Sequence, residues 1–138
     1  MERTYALEIL TPERQFFSGQ VQALTIPAPD GALTVLAGHA PLIVPLVVGV
    51  LRIKQDDVWQ EAFTSEGFME VRSSSVLVFT QACDWPQEID ARRAQAAEQR
   101  AAERLRQKRS MSEYKQSKIA LARAMARLRV SQTRARYH

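Results

Sequence analysis

The chain has 138 residues, 46% hydrophobic and 25% charged, an ordinary balance for a soluble protein and long enough for one domain or two small ones with a buried core. No apolar run approaches the ~18 residues a membrane-spanning helix needs, and "MERTYALEIL" passes straight into strand-like alternation, so no secretory signal is expected. Cys83 is the single cysteine, which excludes an internal disulfide or a thiol metal cluster and points to an intracellular chain.

The formal net charge of +4 hides an asymmetry. Residues 1–86 hold 5 Lys/Arg and 10 Asp/Glu, a net of −5, whereas residues 87–138 hold 14 and 5, a net of +9. The glycines all lie at or before Gly67, and Pro86 is the last proline. Composition therefore predicts two parts, 1–86 and 87–138, with a seam near Asp84–Gln87.

In chain order, Tyr5, Leu7 and Ile9 alternate with Thr4, Ala6 and Glu8, the period of a half-buried strand. "VQALTI" follows, then the turn cluster "PAPDG" and a strand "ALTVL". Gly49 and the prolines of "AGHAPLIVPLVVGVLRI" break a long apolar region into short pieces. "KQDD" is a polar turn before the strand "VWQEAF", and "GFMEVR" puts Met69 and Val71 on one face with Glu70 and Arg72 on the other. "VLVFTQA" is apolar on both faces and so reads as a central strand. About eight short strands with turns between them predict an antiparallel β-sandwich.

The second part reads as an α-helical hairpin, making the whole an α+β chain. "EIDARRA" opens it: Asp90 suits a helix start, and Asp90 with Arg93 is an i,i+3 pair. From Glu88 to Gln107 alanine dominates, with Ile89, Ala97, Ala101 and Leu105 on one side. "KRSMS" is a polar break. A second helix is expected from Met111 to Thr133, with Tyr114, Leu121, Met125 and Leu128 as its apolar stripe and Ala124 between. Alanines let helices approach closely but bury little area each, so such a hairpin is weakly held.

No catalytic constellation is visible. His39 and His138 are far apart and lack Cys, Ser–Asp or metal-ligand partners at a workable spacing, and no Walker-type or Rossmann glycine loop occurs. His39, in the turn "GHAPL", reads as a structural or contact residue. Three non-enzymatic readings of the basic half stay open on composition. It could bind nucleic acid through phosphates, an acidic protein surface, or a small phosphorylated ligand held by arginines. Against nucleic acid, Tyr114 and Tyr137 are the only aromatics after Trp85, and the first part is acidic.

Six segments occur in one register: "FFSG" (Phe16–Gly19), "DGALTVLAGHAPL" (Asp30–Leu42), "GVLRI" (Gly49–Ile53), "GFMEV" (Gly67–Val71), "IDARRA" (Ile89–Ala94) and "ALARAMARLRV" (Ala120–Val130). Together they resemble the epsilon subunit of bacterial F-type ATP synthase across nearly the whole chain. Glu66, where the family usually has a second glycine, and Ala37, often a proline, are departures that look like loop variation.

The resemblance implies a β-sandwich followed by a helical hairpin in a non-catalytic subunit of a proton- or sodium-translocating enzyme. It implies a rotor part of the central stalk, joining the gamma subunit to the c-subunit ring. The chain would sit at the cytoplasmic face of the bacterial plasma membrane, peripheral through the complex. Residues matching the stalk- and ring-facing segments are Asp30, Gly31, Ala32 and Leu33, with His39, Ala40, Pro41 and Leu42. "IDARRA" matches the I/L-D-x-x-R-A motif with which some bacterial epsilon subunits bind ATP. On that pattern Ile89, Asp90, Arg93 and Ala94 carry the first helix's share of the site. Arg100, two turns beyond Arg93, and the i,i+4 pair Arg123 and Arg127 supply further guanidinium groups suited to phosphate. No cofactor is required, and ATP would be a regulatory ligand. In the family the hairpin can open, carrying its second helix to acidic surface on the alpha/beta catalytic head and blocking ATP hydrolysis. Arg123, Arg127, Arg129, Arg134 and Arg136 are the residues for that contact. The alternative from composition is a basic helical-hairpin module that binds nucleic acid.

Overall fold

The computed structural model describes residues 3–107 and 111–137, with the side chains of 3–105 and 116–132. The chain divides into two units, Met1–Asp84 and Trp85–His138. In the first, alternation makes strands: Tyr5, Leu7 and Ile9 are buried along β1 (Tyr5–Leu10), as their spacing predicts. β2 (Gln15–Val21), β3 (Ala23–Ala28), β4 (Gly31–Leu36) and β5 (Leu42–Leu46) follow. β6 (Gly49–Gln55), β7 (Val58–Thr64), β8 (Gly67–Val71), β9 (Ser75–Thr80) and the two-residue β10 (Cys83–Asp84) complete the set.

These strands form two five-stranded sheets, ordered β2-β1-β9-β8-β5 and β10-β7-β6-β3-β4. All pairs are antiparallel except β1 and β9, which run parallel. The parallel pair is possible because some sixty-five residues separate the two strands, more than the dozen a crossover needs. β9 lies in the middle of its sheet, as its two apolar faces predict. The inner faces contribute Leu7, Ile9, Leu24, Ile26, Leu51, Ile53, Met69 and Val78, each at 1% exposure or less.

The sheets are also tied by polar groups. The Tyr5 hydroxyl donates to the Val35 carbonyl at 2.7 Å, linking β1 of one sheet to β4 of the other. Burial pushes the Tyr5 pKa above the usual tyrosine range, so the donor keeps its proton. Where the chain crosses from β7 to β8, Thr64, Ser65 and Thr80 form a buried hydroxyl cluster. Thr64 Oγ1 donates to Thr80 Oγ1 at 3.0 Å, and the Ala82 N–H donates to Ser65 Oγ at 2.7 Å. Gly67 is required there: a Cβ would lie 1.9 Å from the Phe79 carbonyl oxygen, a backbone atom that cannot move aside. Glu66, the neighbour that departs from the family pattern, is half-buried, and its carbonyl accepts from the Gln81 N–H.

The second unit opens with a 3-10 turn at Pro86–Glu88, whose Glu88 Oε1 accepts from the Trp85 N–H at 2.9 Å. α1 (Ala91–Gln107) and α2 (Met111–Tyr137) follow and pack against each other. α1 starts three residues later than the expected Glu88, and α2 runs four beyond Thr133. The apolar stripe expected for the second helix needs correcting. Met125 is 55% exposed and Leu121 and Leu128 are half-buried, while among the described side chains of α2 the buried ones are Ser117, Ala124 and Val130. The Tyr114 side chain lies outside the described residues. Small side chains take the seam because close helix approach leaves no room for large ones, which are displaced to its flanks.

β6 and β7 are joined by Asp56 and Asp57 alone, with φ of 52° and 63°. Two positive φ values in a two-residue loop make a type I′ turn, which matches the twist of the strands. Gln22 clamps it: its Nε2 donates to Asp57 Oδ1 at 3.0 Å and its Oε1 accepts from the Asp57 N–H at 2.8 Å. Asp56→Asn should therefore hold or slightly raise the urea midpoint, whereas Asp56→Val should lower stability by about 1–2 kcal/mol. Equal midpoints for the two variants would reject this account of the turn.

Candidate functional site

The stretch Asp30–Leu33 begins in the turn between β3 and β4, where Ala28 pairs with Gly31. Asp30, Gly31 and Ala32 are exposed and Leu33 is half-buried. Gly31 has a φ of +119°. The second stretch, "GHAPL", forms the corner between β4 and β5. Gly38 has a φ of +83°, which favours glycine, and the Arg3 guanidinium lies 3.5 Å from where a Cβ would stand. The His39 N–H donates to the Leu36 carbonyl at 3.2 Å, and its ring Nδ1 lies 2.8 Å from the Ala40 carbonyl oxygen. Ala40, Pro41 and Leu42 are exposed. The two stretches are thus at opposite ends of β4, about 17 Å apart at strand rise. The strand between them, expected from the sequence as "ALTVL", holds them apart.

A third surface escaped the sequence reading. On the outer face of the first sheet, cross-strand pairing sets Pro45 beside Phe68, Phe68 beside Phe79, and Phe79 beside Leu10. Phe68 and Phe79 are 46% and 37% exposed, with ring centroids 5.2 Å apart, and Ile43 is 70% exposed. Beside them runs an open groove of about 620 Å³ lined by Leu10, Pro12, Arg14, Phe68, Phe79 and Gln81. Arg14 is held at its rim by donating to the Cys83 carbonyl at 3.1 Å and by lying over the Phe16 ring. An apolar patch of this kind with a polar rim marks a contact surface. The available signal was Phe68 and Phe79 falling opposite Met69 and Val78 in the alternation.

In the helical unit, Asp90 is the N-cap of α1. Its Oδ1 accepts from the Arg92 and Arg93 N–H groups at 3.0 and 3.2 Å, and its carbonyl accepts from the Ala94 N–H. The cap carboxylate occupies the positive end of the helix dipole. Arg93 and Arg100 are exposed, each one residue before a buried alanine, Ala94 and Ala101. They line one edge of the buried stripe, seven residues and nearly two turns apart. Ile89 is half-buried before the cap.

On α2, Arg123 and Arg127 are half-buried and one turn apart, and the Nε of Arg123 is shielded from solvent. Both point to the same side as Ala124 and Val130 by helical spacing. Packing of α1 on α2 puts the two arginine pairs on one two-helix unit. Arg129 is exposed, while the side chains of Arg134 and Arg136 lie outside the described residues. Among the described residues, no three His, Cys, Asp or Glu side chains come together as a metal site. No described helix is long and apolar enough to cross a membrane.

Two five-stranded sheets followed by a pair of arginine-bearing helices define the class by its fold, a β-sandwich joined to a separate two-helix unit. Residues 4–86 match the model of the ATP synthase delta/epsilon chain β-sandwich domain, and residues 87–132 that of the delta/epsilon chain long α-helix domain. The chain belongs to the ATP synthase epsilon chain family. It is 46% identical over 132 residues to the ATP synthase epsilon chain of Caldanaerobacter subterraneus subsp. tengcongensis, covering 95% of this chain and 96% of the relative. It is 47% identical over 131 residues to that of Ruminiclostridium cellulolyticum, covering 95% and 98%. In fold it resembles a chain of the Euglena gracilis mitochondrial ATP synthase, with a TM-score of 0.79 at 23% identity, over 98% of this chain and 82% of that one. A chain in the central stalk and c-ring structure from Tetrahymena thermophila gives a TM-score of 0.64 at 10% identity, over 94% and 98%.

Replacing Asp90 tests whether it holds the helix start. Asp90→Ala should cost about 1 kcal/mol of helix stability, while Asp90→Asn should recover most of it. Amide hydrogen exchange at Arg92 and Arg93 reads the difference directly, and unchanged protection in the alanine variant would rule out the cap.

Proposed function

We propose that this chain is the rotor subunit that joins the gamma subunit of an F-type ATP synthase to its c-subunit ring. The observation that carries the reading is the end-to-end match to ATP synthase epsilon chains. The chains it resembles in fold come from ATP synthase structures that include the c-ring, one of them named as the central stalk. The apolar outer face around Ile43, Phe68 and Phe79 offers a large desolvation gain to a neighbouring subunit, at ~25 cal/mol per Å² of apolar surface covered. The turn at Asp30 and the corner at His39 then provide separate contacts at the two ends of β4. In this reading the chain is peripheral to the cytoplasmic face of the plasma membrane.

The helix pair is the regulatory module. Arg93, Arg100, Arg123 and Arg127 belong to one packed pair and offer guanidinium groups to a phosphate, so ATP bound there stabilises the packed state. The gain follows RT ln(1 + [L]/Kd), which makes ATP a sensed ligand rather than a substrate. Calorimetry of the isolated chain with ATP should give saturable heat and an upward thermal shift. Arg93→Ala should weaken binding by about 1.5–3 kcal/mol, the value of a charge-assisted bond, with the helices intact. Absence of heat at several millimolar ATP, or undiminished binding in Arg93→Ala, would remove the nucleotide site.

When the pair opens, its arginine-rich second helix reaches acidic surface on the catalytic head and blocks hydrolysis. Residues 87–138 carry a net charge of +9, which favours such a target and makes the contact salt-sensitive. An enzyme assembled with a chain ending at Pro86 should hydrolyse ATP faster, most clearly at low ATP. Unchanged hydrolysis at low ATP would reduce the helices to a passive scaffold.

A further inference from the structure

Two sheets leave four edges, and an unblunted edge is a template for another strand. Three are blunted here. β10 has two residues, and β5 carries Pro45, which cannot donate. β2 shifts register against β1 near Ile9, and its Gln20 carbonyl accepts from Gln55 Nε2 at 3.0 Å. β4 has none of these devices. Its sequence GALTVL holds no charge and no proline, and it pairs with β3 in unbroken register over six residues.

The direction of its free backbone groups follows from the turns. The two-residue loop Asp56–Asp57 makes Gln55 and Val58 a hydrogen-bonded pair. Alternation then directs Lys54 and Arg52 toward β3, bonding Ala23 and Thr25. The Gln22 N–H also reaches the Lys54 carbonyl, as this phase requires. Leu24 and Ile26 are left to bond Val35 and Leu33 of β4, so the backbone N–H and C=O groups of Ala32 and Thr34 face outward.

Next to this edge lies a groove of about 380 Å³ lined by Arg3, Thr34, Leu36, Lys54 and Trp59. Register sets Leu36, Ala23, Lys54 and Trp59 in one row across the sheet. Trp59 is 40% exposed, with the Arg52 guanidinium 5.0 Å from its ring centre. Two cations and an exposed indole, with Gln22 and Thr34 as polar neighbours, suit an acidic side chain borne on an extended backbone.

We propose that β4 accepts an added strand from a partner protein, an extended segment with an acidic side chain that enters this groove toward Arg3 and Lys54. The inference rests on the stalk reading above and assigns the strand, within it, to the gamma subunit. Backbone bonds to Ala32 and Thr34 supply the pairing, and the groove sets its register.

The experiment titrates the full chain with purified gamma subunit. Thr34→Val removes the hydroxyl that sits 2.8 Å from Thr25 Oγ1 but keeps the outward N–H, and serves as the reference for the proline variant. Thr34→Pro removes that N–H as well and should weaken binding about tenfold relative to Thr34→Val. Arg3→Glu, a surface change with little risk to folding, should weaken binding most at low salt. Equal affinity of the proline and valine variants, with native circular dichroism, would overturn the proposal. If the proline variant unfolds, Arg3→Glu decides, and unchanged affinity there overturns it. No binding by the parent chain would overturn this inference together with the stalk reading beneath it.

Discussion

The junction from β7 to β8 is the constraint on which the sandwich depends. The chain leaves one sheet and enters the other within Ser65 and Glu66, so its backbone polar groups pass through the protein interior. A buried group left without a partner costs about 1–3 kcal/mol, and several would cancel much of a small domain's stability. Thr64, Ser65 and Thr80 resolve this with hydroxyls, which both donate and accept. Gly67 completes the junction by letting β8 approach the backbone of Phe79 and Thr80 with no Cβ between.

The position of the outer surface follows from that junction. Gly67 sets the phase of β8, so Met69 and Val71 enter the core and Phe68 faces outward against Phe79. A one-residue slip would exchange the two sets and expose Met69 in place of Phe68. The same residue that joins the sheets therefore also places the aromatic pair at the groove beside Arg14. Core and contact surface are two faces of one register.

The helical unit works by the opposite logic. Its seam of Ser117, Ala124 and Val130 against a helix with Ala94 and Ala101 buries small side chains, and area scales with the stabilisation gained. Local terms carry a larger share than in the sandwich: the Asp90 cap, the Glu88 contact to Trp85, and the helix propensity of alanine. Caps and propensity do not depend on the partner helix, so each helix carries part of its stability within itself.

Sequence by itself determined the two-part plan, most strand positions, the turn at Asp56–Asp57 and the helix start at Asp90. Each is set within a few residues: alternation decides which side chains turn inward, and proline, glycine and paired aspartates decide where the chain bends. Six family-like segments in one register also identified the family. The parallel pairing of β1 with β9 joins strands remote in the chain, so no local pattern encodes it. The small-residue seam of α2 was misread as a large apolar stripe, because periodicity reports a face but not how closely the next helix approaches. The turn at Gly31 and the corner at His39 stand at opposite ends of β4, as the strand expected between them implies. Which strand is left on an edge was likewise decided only by tertiary pairing. β4 is exposed because β3 and β6 meet on the other side, a consequence of the long-range ladder rather than of any residue within GALTVL.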